Sequence, residues 1–517
     1  MTAPLGVRSR ALWVGDETRD AAIARSIGHT HRFWLPELAG RAVPEKPPFF
    51  YLLVALSNRF FGLSPAATRL PSILLSAAAV VAAAIIARRL FSPRAGALAA
   101  AILATTYLFV VNAHDVIVDV ALTAEVVIGV ALFFRASRLA GHPRWGPSFG
   151  LAAGAALLTK GFVGPALLLA LTVPFWFLAP ERPPLSRAVS AGAMLFPCVA
   201  LAGWAGALAA GGGLAAVGKS LLVHQLGRFV GMAGQEYSHH NAPVFFYVAA
   251  LPGILFPWSM TLPTAIVDAV RRRGVERTLA AGIGLALVFL SIAGTKRTVY
   301  FLPVVPIVAV FTAGWIDRQL TTPLRSIAMP LRLQAGAIGV AAALVPLVPA
   351  LADRRLTTAE LVVVGSVGVL AAALFIAARD SRALVVTSLV LAIGSLVLLD
   401  RFSLPRLKRD EATAAFFARV SRRVPSGGRL YAFRLNEDVL GRACLDLPIS
   451  PRPEDEAPGL EQSLRAPDSF VLAEPRKITR VPQLAAELDP IETGVAGSRP
   501  VGLYARRENR VPDTYLK

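Results

Sequence analysis

The chain has 517 residues, 55% of them hydrophobic and 17% charged, with a mean hydropathy of +0.57. This lies well on the apolar side of the globular average and predicts a membrane protein rather than an ordinary soluble one. The net charge of +20 does not point to nucleic acid, because Lys and Arg fall mostly in short loops between apolar runs, the pattern of membrane topogenesis. Two cysteines, Cys198 and Cys444, offer neither a disulfide framework nor a metal-ligand spacing.

The opening "MTAPLGVRSRALWV" is neither a signal peptide nor a span. In "GDETRDAAIARSI", Ala21, Ile23, Ala24 and Ile27 recur at helical spacing, and Asp16 fits an N-cap with Arg19 and Asp20 in the first turn. "VPEKPPFFY" sets Glu45 and Lys46 before Pro47 and Pro48, which suit a first helical turn because no amide hydrogen is needed there. The run 48–62 is too short to cross a bilayer and carries Arg59, so it reads as an interfacial or re-entrant helix.

Apolar runs of about 17 to 25 residues, the length that crosses the hydrocarbon core, then recur. Their boundaries are 70–87, 95–112, 116–134, 147–158, 161–179, 187–210, 243–267, 278–294, 298–316, 333–351, 359–378 and 383–399, about twelve spans. Basic clusters stand at every second junction: Arg88/Arg89/Arg94, Arg135/Arg138/Arg144, Arg182/Arg187, Arg271/Arg272/Arg273/Arg277, Arg318/Arg325 and Arg379/Arg382. The positive-inside rule makes these junctions cytoplasmic. The remaining junctions, residues 1–69, the long loop 211–242 and everything after 400 then face outward. An external N-terminal segment needs something to export it, so a first helix upstream of Met1 is expected; the alternative, that 48–62 crosses, would strand residues 1–45 in the cytoplasm.

Residues 401–517 read differently. "KRDEATAAFFARVSRRV" has Phe416, Phe417, Val420 and Val424 at helical spacing, while "GRLYAF", "SFVLAEP" and "PVGLYARR" look like strands, so a small external α/β domain is expected. The predicted organisation is thus 1–69 external, 70–400 transmembrane and 401–517 external. No internal repeat is visible, which counts against transporters built from duplicated halves.

Polar residues gather on the outward face. Asp115 and Asp119 in "HDVIVDVAL" lie four residues apart, one helical turn, and Asp119 falls inside a predicted span, where an ionisable group lines a cavity or pairs with a nearby cation. Glu125 lies deeper and reads as structural. Lys46, Lys160 in "LLTKGFVGP", Arg228 in "QLGRFVG" and Lys296/Arg297 in "GTKRTVYFLP" each sit at a span boundary. Any one of them alone reads as a snorkelling side chain. As a set they run against the positive-inside rule, and outward cations beside aspartates suggest an anionic ligand, phosphate first.

In order and spacing, "GDETRDAAIA", "EKPPFFYLLVALSNRFFG", "RLPS", "HDVIVDVAL", "TKGFVGPAL", "RFVG", "HHNAPVFFY", "FPWS" and "KRTVYFLPVVP" resemble the polyprenyl-phosphate-dependent glycosyltransferases of the GT-C fold, of the aminoarabinose transferase (ArnT) and protein O-mannosyltransferase type. The resemblance covers residues 15 to about 307 and beyond that extends only to layout. It implies a mainly α polytopic membrane protein with thirteen spans and an external C-terminal domain, in the cytoplasmic (inner) membrane of a bacterium, with the active site on the outer side. Position by position, Asp16 matches the essential acid of the first external loop, with Glu17 and Arg19 beside it. Glu45 and Lys46 match the charged pair before the double proline, and Asp119, a second candidate catalytic acid beside Asp16, matches an acid opening the next outward-facing helix; Asp115 accompanies it. Lys160, Arg228, Lys296 and Arg297 match basic positions around the lipid phosphate. His240 matches a loop histidine that in the family approaches the glutamate of "EKPP" and is associated with a metal, which makes Glu45 and His240 candidate ligands of a divalent ion. Relatives often carry an acidic residue followed by His before the "RF" pair, where this chain has His224 and Gln225, a departure that bears on that metal role.

The implied reaction moves a sugar from a polyprenyl phosphate to a lipid, glycan or protein acceptor. The cations stabilise the departing phosphate, and Asp16 orients or deprotonates an acceptor hydroxyl. If the acceptor is itself a phosphate, no base is required. No cofactor is required, because the lipid already carries the activated sugar, and the partners are lipids and glycans rather than nucleic acid. The alternatives are a transporter or flippase for a lipid-linked sugar, which would bind phosphate without chemistry, and an inactive relative acting in assembly.

Overall fold

The computed structural model describes residues 11–30, 32–138, 145–178, 187–227, 229, 242–272, 274–321, 336, 383, 385–390, 392–394, 404–425 and 427–507. The chain forms two compact units. The first takes Met1–Leu5, Pro44–Phe50 and Arg69–Phe402, the second Gly6–Val43, Tyr51–Thr68 and Ser403–Lys517.

All the regular elements described below for the first unit are helical, joined by short turns. After Pro65–Leu90 come Pro93–Leu103, Tyr107–Asn112, Val118–Arg138, Trp145–Lys160, Val163–Thr172, Pro174–Leu178 and Arg187–Gly218. The π-helix Lys219–Gly227 follows, then Phe246–Ile254, Leu262–Arg272, Val275–Ile292 and Val305–Thr321, with 3-10 turns at Trp258–Thr261 and Thr298–Val304. Local chemistry explains several boundaries. Ser92 caps Pro93–Leu103 by accepting the Ala95 N–H at 3.1 Å, with Pro93 in the first turn where its missing donor costs nothing. Gly161, at φ +63°, ends Trp145–Lys160 in the left-handed region that glycine enters without a Cβ penalty.

Where sequence and structure differ, turns are the reason. The expected span 95–112 is two helices, interrupted at residues 104–106. The expected span 243–267 is a pair of helices bent by 117° between Ile254 and Trp258. The glycine run read as the start of an external loop at 211 only kinks the helix, at Gly212 and Gly213, and helical winding continues to Gly227. The expected spans 333–351 and 359–378 lie outside the described residues apart from Gly336, and 383–399 is described only in part.

Among the described residues, four helices are long and apolar enough to cross a membrane, or five with the bent pair: Pro65–Leu90, Met194–Gly227, Val275–Ile292 and Thr298–Thr321. Only 11% of the most apolar stretch of Met194–Gly227 is buried, against 89% for Thr298–Thr321. Helix Thr298–Thr321 is therefore central, while Met194–Gly227 presents Met194, Leu195 and Val199 outward. An apolar surface of that extent needs a lipid solvent rather than water.

Ionic contacts gather three of the basic junctions at one end of this unit. Arg94 and Ser92 both bond Asp317, while Arg318 bridges Glu276 and Asp268, the latter at 2.6 Å. Arg272 adds an exposed bond to Asp268 at 2.7 Å. The junctions around 94, 272 and 318, which the charge pattern put on one side, thus share one end.

The second unit carries a five-stranded mixed sheet of order β4-β3-β5-β7-β6, made of β3 (Arg429–Phe433), β4 (Arg452–Glu454), β5 (Ser469–Ala473), β6 (Leu488–Ala496) and β7 (Arg499–Arg506). A two-stranded ribbon, β1 (Glu37–Leu38) with β2 (Arg41–Ala42), precedes it. Strands β3, β4 and β5 are parallel, and β7 is antiparallel to β5 and β6. Side chains alternate faces with period two: Leu430, Phe470, Leu472 and Leu503 join one core, Tyr431, Phe433, Val471 and Tyr504 the other. Phe416, Phe417, Val420 and Val424, the expected apolar stripe, fill the first core from helix Leu404–Arg423. The expected strands form β3, β5 and β7; β6 was missed because Pro490 breaks its pattern, and as an edge strand it tolerates that residue.

Helix Asp16–Thr30 also belongs to this unit, packed on helix Glu437–Asp446. A Cβ at Gly441 would lie 2.8 Å from Arg19 Cα and from the Thr18 carbonyl, so glycine permits the close approach. Arg19 pairs with Glu437 at 2.6 Å, Thr18 donates to the Asp438 carbonyl at 3.0 Å, and Arg25 donates to the last carbonyls of the partner helix, Cys444 and Leu445, at 3.1 Å each.

Two stability outcomes follow. Gly441→Ala gains about 1 kcal/mol of helix propensity, but must displace backbone and should lose about 1–3 kcal/mol by overpacking, lowering the unfolding temperature of the detergent-solubilised protein. Arg318→Ala strips a half-buried bridge and should cost about 1–3 kcal/mol, whereas Arg272→Ala, at an exposed partner, should cost under about 1 kcal/mol; thermal unfolding of both variants reads the difference.

Candidate active site

In the first unit the polar centre is built by two adjacent helices of opposite direction. Asp119 lies in the first turn of Val118–Arg138 and is 6% exposed; Lys160 is the last residue of Trp145–Lys160. Lys160 Nζ donates to Asp119 Oδ1 in a closed ion pair. Both charges also sit at the helix ends that favour them, the acid at a positive N-terminus and the cation at a negative C-terminus. A second rung lies beside the first, where Thr159 Oγ1 donates to Glu125 Oε1 at 2.7 Å. Glu125, expected to be structural, is thus tied to the neighbouring helix through one carboxylate oxygen.

The segment 293–304 closes on this pair. The Tyr300 ring lies beneath Lys160 Nζ at 4.1 Å from its centroid, and the Arg297 guanidinium stands 6.0 Å from the same centroid. Lys296 is buried and donates to the Ala293 carbonyl at 2.6 Å. Tyr247 donates its hydroxyl to the Arg297 carbonyl at 3.1 Å and packs on Phe301. Lys160 and Arg297 thus share one aromatic platform beside Asp119, and Lys296 adjoins them in sequence. The ring face attracts both cations, and two cations held together attract an anion strongly where water is excluded. Tyr300 and Tyr247 were not singled out from sequence; Tyr300 sits inside the "KRTVYFLP" motif three residues after Arg297, so the motif contained it.

Glu45 and Lys46 stand in the turn before helix Phe49–Phe61, Glu45 buried and Lys46 half-buried. Pro47 and Pro48 directly precede the helix rather than occupying its first turn, and they still end the turn because proline fixes φ and restricts the residue before it. The helix has 13 residues, about 20 Å at the helical rise, too short to cross. Arg228 and His240 lie outside the described residues. Among the described residues no group of three or more His, Cys, Asp or Glu side chains converges to hold a metal ion, so Glu45 has no ligand set around it there.

Asp115 departs from the expected geometry. The helix begins at Val118, so Asp115 lies in the preceding turn beside His114, whose Nε2 is 3.7 Å away, and does not share a helical face with Asp119.

Asp16 belongs to the second unit. It is the first residue of helix Asp16–Thr30, one past the cap position, and is half-buried. Thr18 performs the capping, accepting the Gly15 N–H at 3.3 Å, and Glu17 accepts the Trp13 N–H at 2.8 Å. Arg19 is committed to Glu437. Glu17 and Arg19 thus make contacts that hold the helix in place, and the helix starts at Asp16 rather than after it. Asp20, buried next to them, accepts a 3.1 Å hydrogen bond from Tyr51.

Residues 45–205 match the family described as dolichyl-phosphate-mannose-protein mannosyltransferase. An undecaprenyl phosphate-α-4-amino-4-deoxy-L-arabinose arabinosyl transferase of Pseudomonas fluorescens is 28% identical over 350 residues, 65% of this chain and 62% of that protein. Its counterpart in Pseudomonas aeruginosa is 29% identical over 303 residues, 57% of this chain and 54% of that one. The chain thus spans less than two thirds of the length of the curated relatives it matches. The crystal structure of ArnT from Cupriavidus metallidurans bound to undecaprenyl phosphate superposes with a TM-score of 0.75 at 18% identity, covering 97% of this chain and 96% of that one. The apo structure of the same protein gives 0.70. The likeness that the motifs carry is present in sequence and in fold.

The buried pair has a measurable signature. Lys160→Met leaves Asp119 unpaired and should destabilise the protein by about 3–5 kcal/mol, and adding Asp119→Asn should recover a large part. Thermal unfolding of the single and double variants in detergent tests this.

Proposed function

We propose that this chain, which has the ArnT-like GT-C fold and the motifs of polyprenyl-phosphate-dependent glycosyltransferases, transfers a sugar from a polyprenyl phosphate to a lipid, glycan or protein acceptor. In this reading residues 70–400 form the transmembrane domain, with about twelve spans here and thirteen in the family, and residues 1–69 and 401–517 lie on the outer side of a bacterial cytoplasmic membrane. The observation that supports it most is the cluster of Lys160, Asp119, Tyr300 and Arg297 inside a helical unit with a lipid-type surface.

The chemistry is one displacement. The acceptor oxygen bonds to the anomeric carbon while the carbon–oxygen bond to the lipid phosphate breaks, and its electron pair passes to the phosphate. Lys46, Lys160, Lys296 and Arg297, with Arg228, stabilise the charge that develops there; the effect of each is large because the surroundings exclude water. The tie to Asp119 holds Lys160 in one rotamer before the donor arrives. Asp16 accepts the proton of an acceptor hydroxyl. Where the acceptor is a phosphate, no proton has to leave and Asp16 positions the sugar instead. The donor carries its own activation, so the displacement as written draws on no cofactor.

The test uses purified protein, radiolabelled polyprenyl-phosphate sugars and a membrane extract as acceptor source. Asp16→Asn and Lys46→Ala should each lower transfer by about 100-fold or more, the scale for loss of a base or of a charge stabiliser, with unfolding temperatures close to wild type. Label that remains on the lipid yet crosses a proteoliposome bilayer would replace this reading with transport.

A further inference from the structure

The stretch Lys219–Gly227 is wound as a π-helix, a rare geometry that recurs at functional sites. Its backbone bonds run from i to i+5, so residues five apart come near one face; in an α-helix they would point about 140° apart. Ser220 and Gln225 are five apart and grip successive carbonyls. Ser220 Oγ donates to the Pro44 carbonyl at 2.5 Å, and Gln225 Nε2 donates to the Glu45 carbonyl at 2.8 Å. These are the two peptide groups immediately before Lys46.

The other side of the Gln225 amide rests on Gly161. A Cβ at that glycine would lie 2.0 Å from Gln225 Oε1 and 2.5 Å from its Cδ, so the amide occupies the space that only glycine leaves. Gly161 is the residue after Lys160 and has φ +63°. A single side chain therefore touches the backbone beside Lys46 and the backbone beside Lys160, segments more than 110 residues apart in sequence.

We propose that Gln225, with Ser220, is a positioning residue that sets Lys46 relative to Lys160 for one phosphate group. The proposal rests on the glycosyltransferase reading, in which both lysines face the donor phosphate. The amide suits the task because it presents an N–H to the Glu45 carbonyl and sets its own oxygen close against Gly161. The π winding has a use here, since it brings both donors onto one face. Gln225→Met keeps the length and most of the packing and removes the donor.

The experiment compares wild type, Lys46→Ala, Gln225→Met, Ser220→Ala and the combinations of each clamp variant with Lys46→Ala, in the full chain with a radiolabelled polyprenyl-phosphate sugar. Gln225→Met is expected to lower kcat about fivefold with acceptor KM within twofold of wild type and an unchanged unfolding temperature. In the Lys46→Ala background the same substitution should cost less than twofold, because the group it positions is gone. Ser220→Ala should show the same masking with a smaller effect, and it carries the test if Gln225→Met fails to fold. A wild-type kcat for both clamp variants, or a fivefold loss that persists undiminished without Lys46, overturns the clamp while transfer by wild type leaves the glycosyltransferase reading standing. Absence of transfer by wild type overturns that reading and the clamp with it.

Discussion

Lys160 and Asp119 neutralise each other across two helices of opposite direction, in a unit whose outer surface is largely apolar. Neither charge is stable there alone, because removing an ion from water costs several kcal/mol that only a close partner offsets. The pair therefore sets the register of Val118–Arg138 against Trp145–Lys160, and the Thr159–Glu125 bond repeats that register on the next rung. It also explains why the chain turns at Gly161, since Lys160 must be the last helical residue for its charge to meet the carbonyl end of its own helix. Tyr300 then gives the ammonium an aromatic face. One ion pair organises two consecutive helices and a tyrosine far along the chain.

That arrangement depends on the surrounding solvent. The central helix Thr298–Thr321 is almost wholly enclosed by other helices, whereas Met194–Gly227 is apolar and hardly enclosed at all. In water the second helix would be a large exposed patch; in lipid it is an ordinary outer wall. At one end of the unit, Arg94, Arg318, Asp268, Glu276 and Asp317 form a network that holds the helix ends together. Several ionic residues of this unit thus meet at helix ends, and the buried Lys160–Asp119 pair is an interior charge held in paired form.

The second unit solves a different problem. Its sheet is covered on both faces, and helix Asp16–Thr30 is held against helix Glu437–Asp446 by a glycine contact, an ion pair and two carbonyl caps. The acid in the first turn is kept half-buried while its neighbours do the structural work: Thr18 caps, Glu17 receives a backbone amide, and Arg19 pairs across the helices. Residues that look alike in the string "GDETRD" divide into four roles once the partner helix is in place.

The sequence by itself determined the membrane class, most of the apolar helices among the described residues and the strands β3, β5 and β7, and it singled out Lys160, Asp119 and Arg297, which the fold brings near one another, because apolar run length, period-two alternation and misplaced charge are local properties of a string. It did not reveal that Asp115 falls outside the helix of Asp119, that the first helix starts at Asp16 rather than after it, or that helical winding runs past Gly212 and Gly213. Those depend on where a helix starts and stops, which sequence periodicity leaves open by a few residues. Nor could Gln225 or Tyr300 be assigned from sequence, since a glutamine carries no signal until a glycine and a carbonyl meet it. Only the tertiary structure decided which charges are paired, because an ion in a low-dielectric interior takes its stability from a neighbour that packing, not sequence order, supplies.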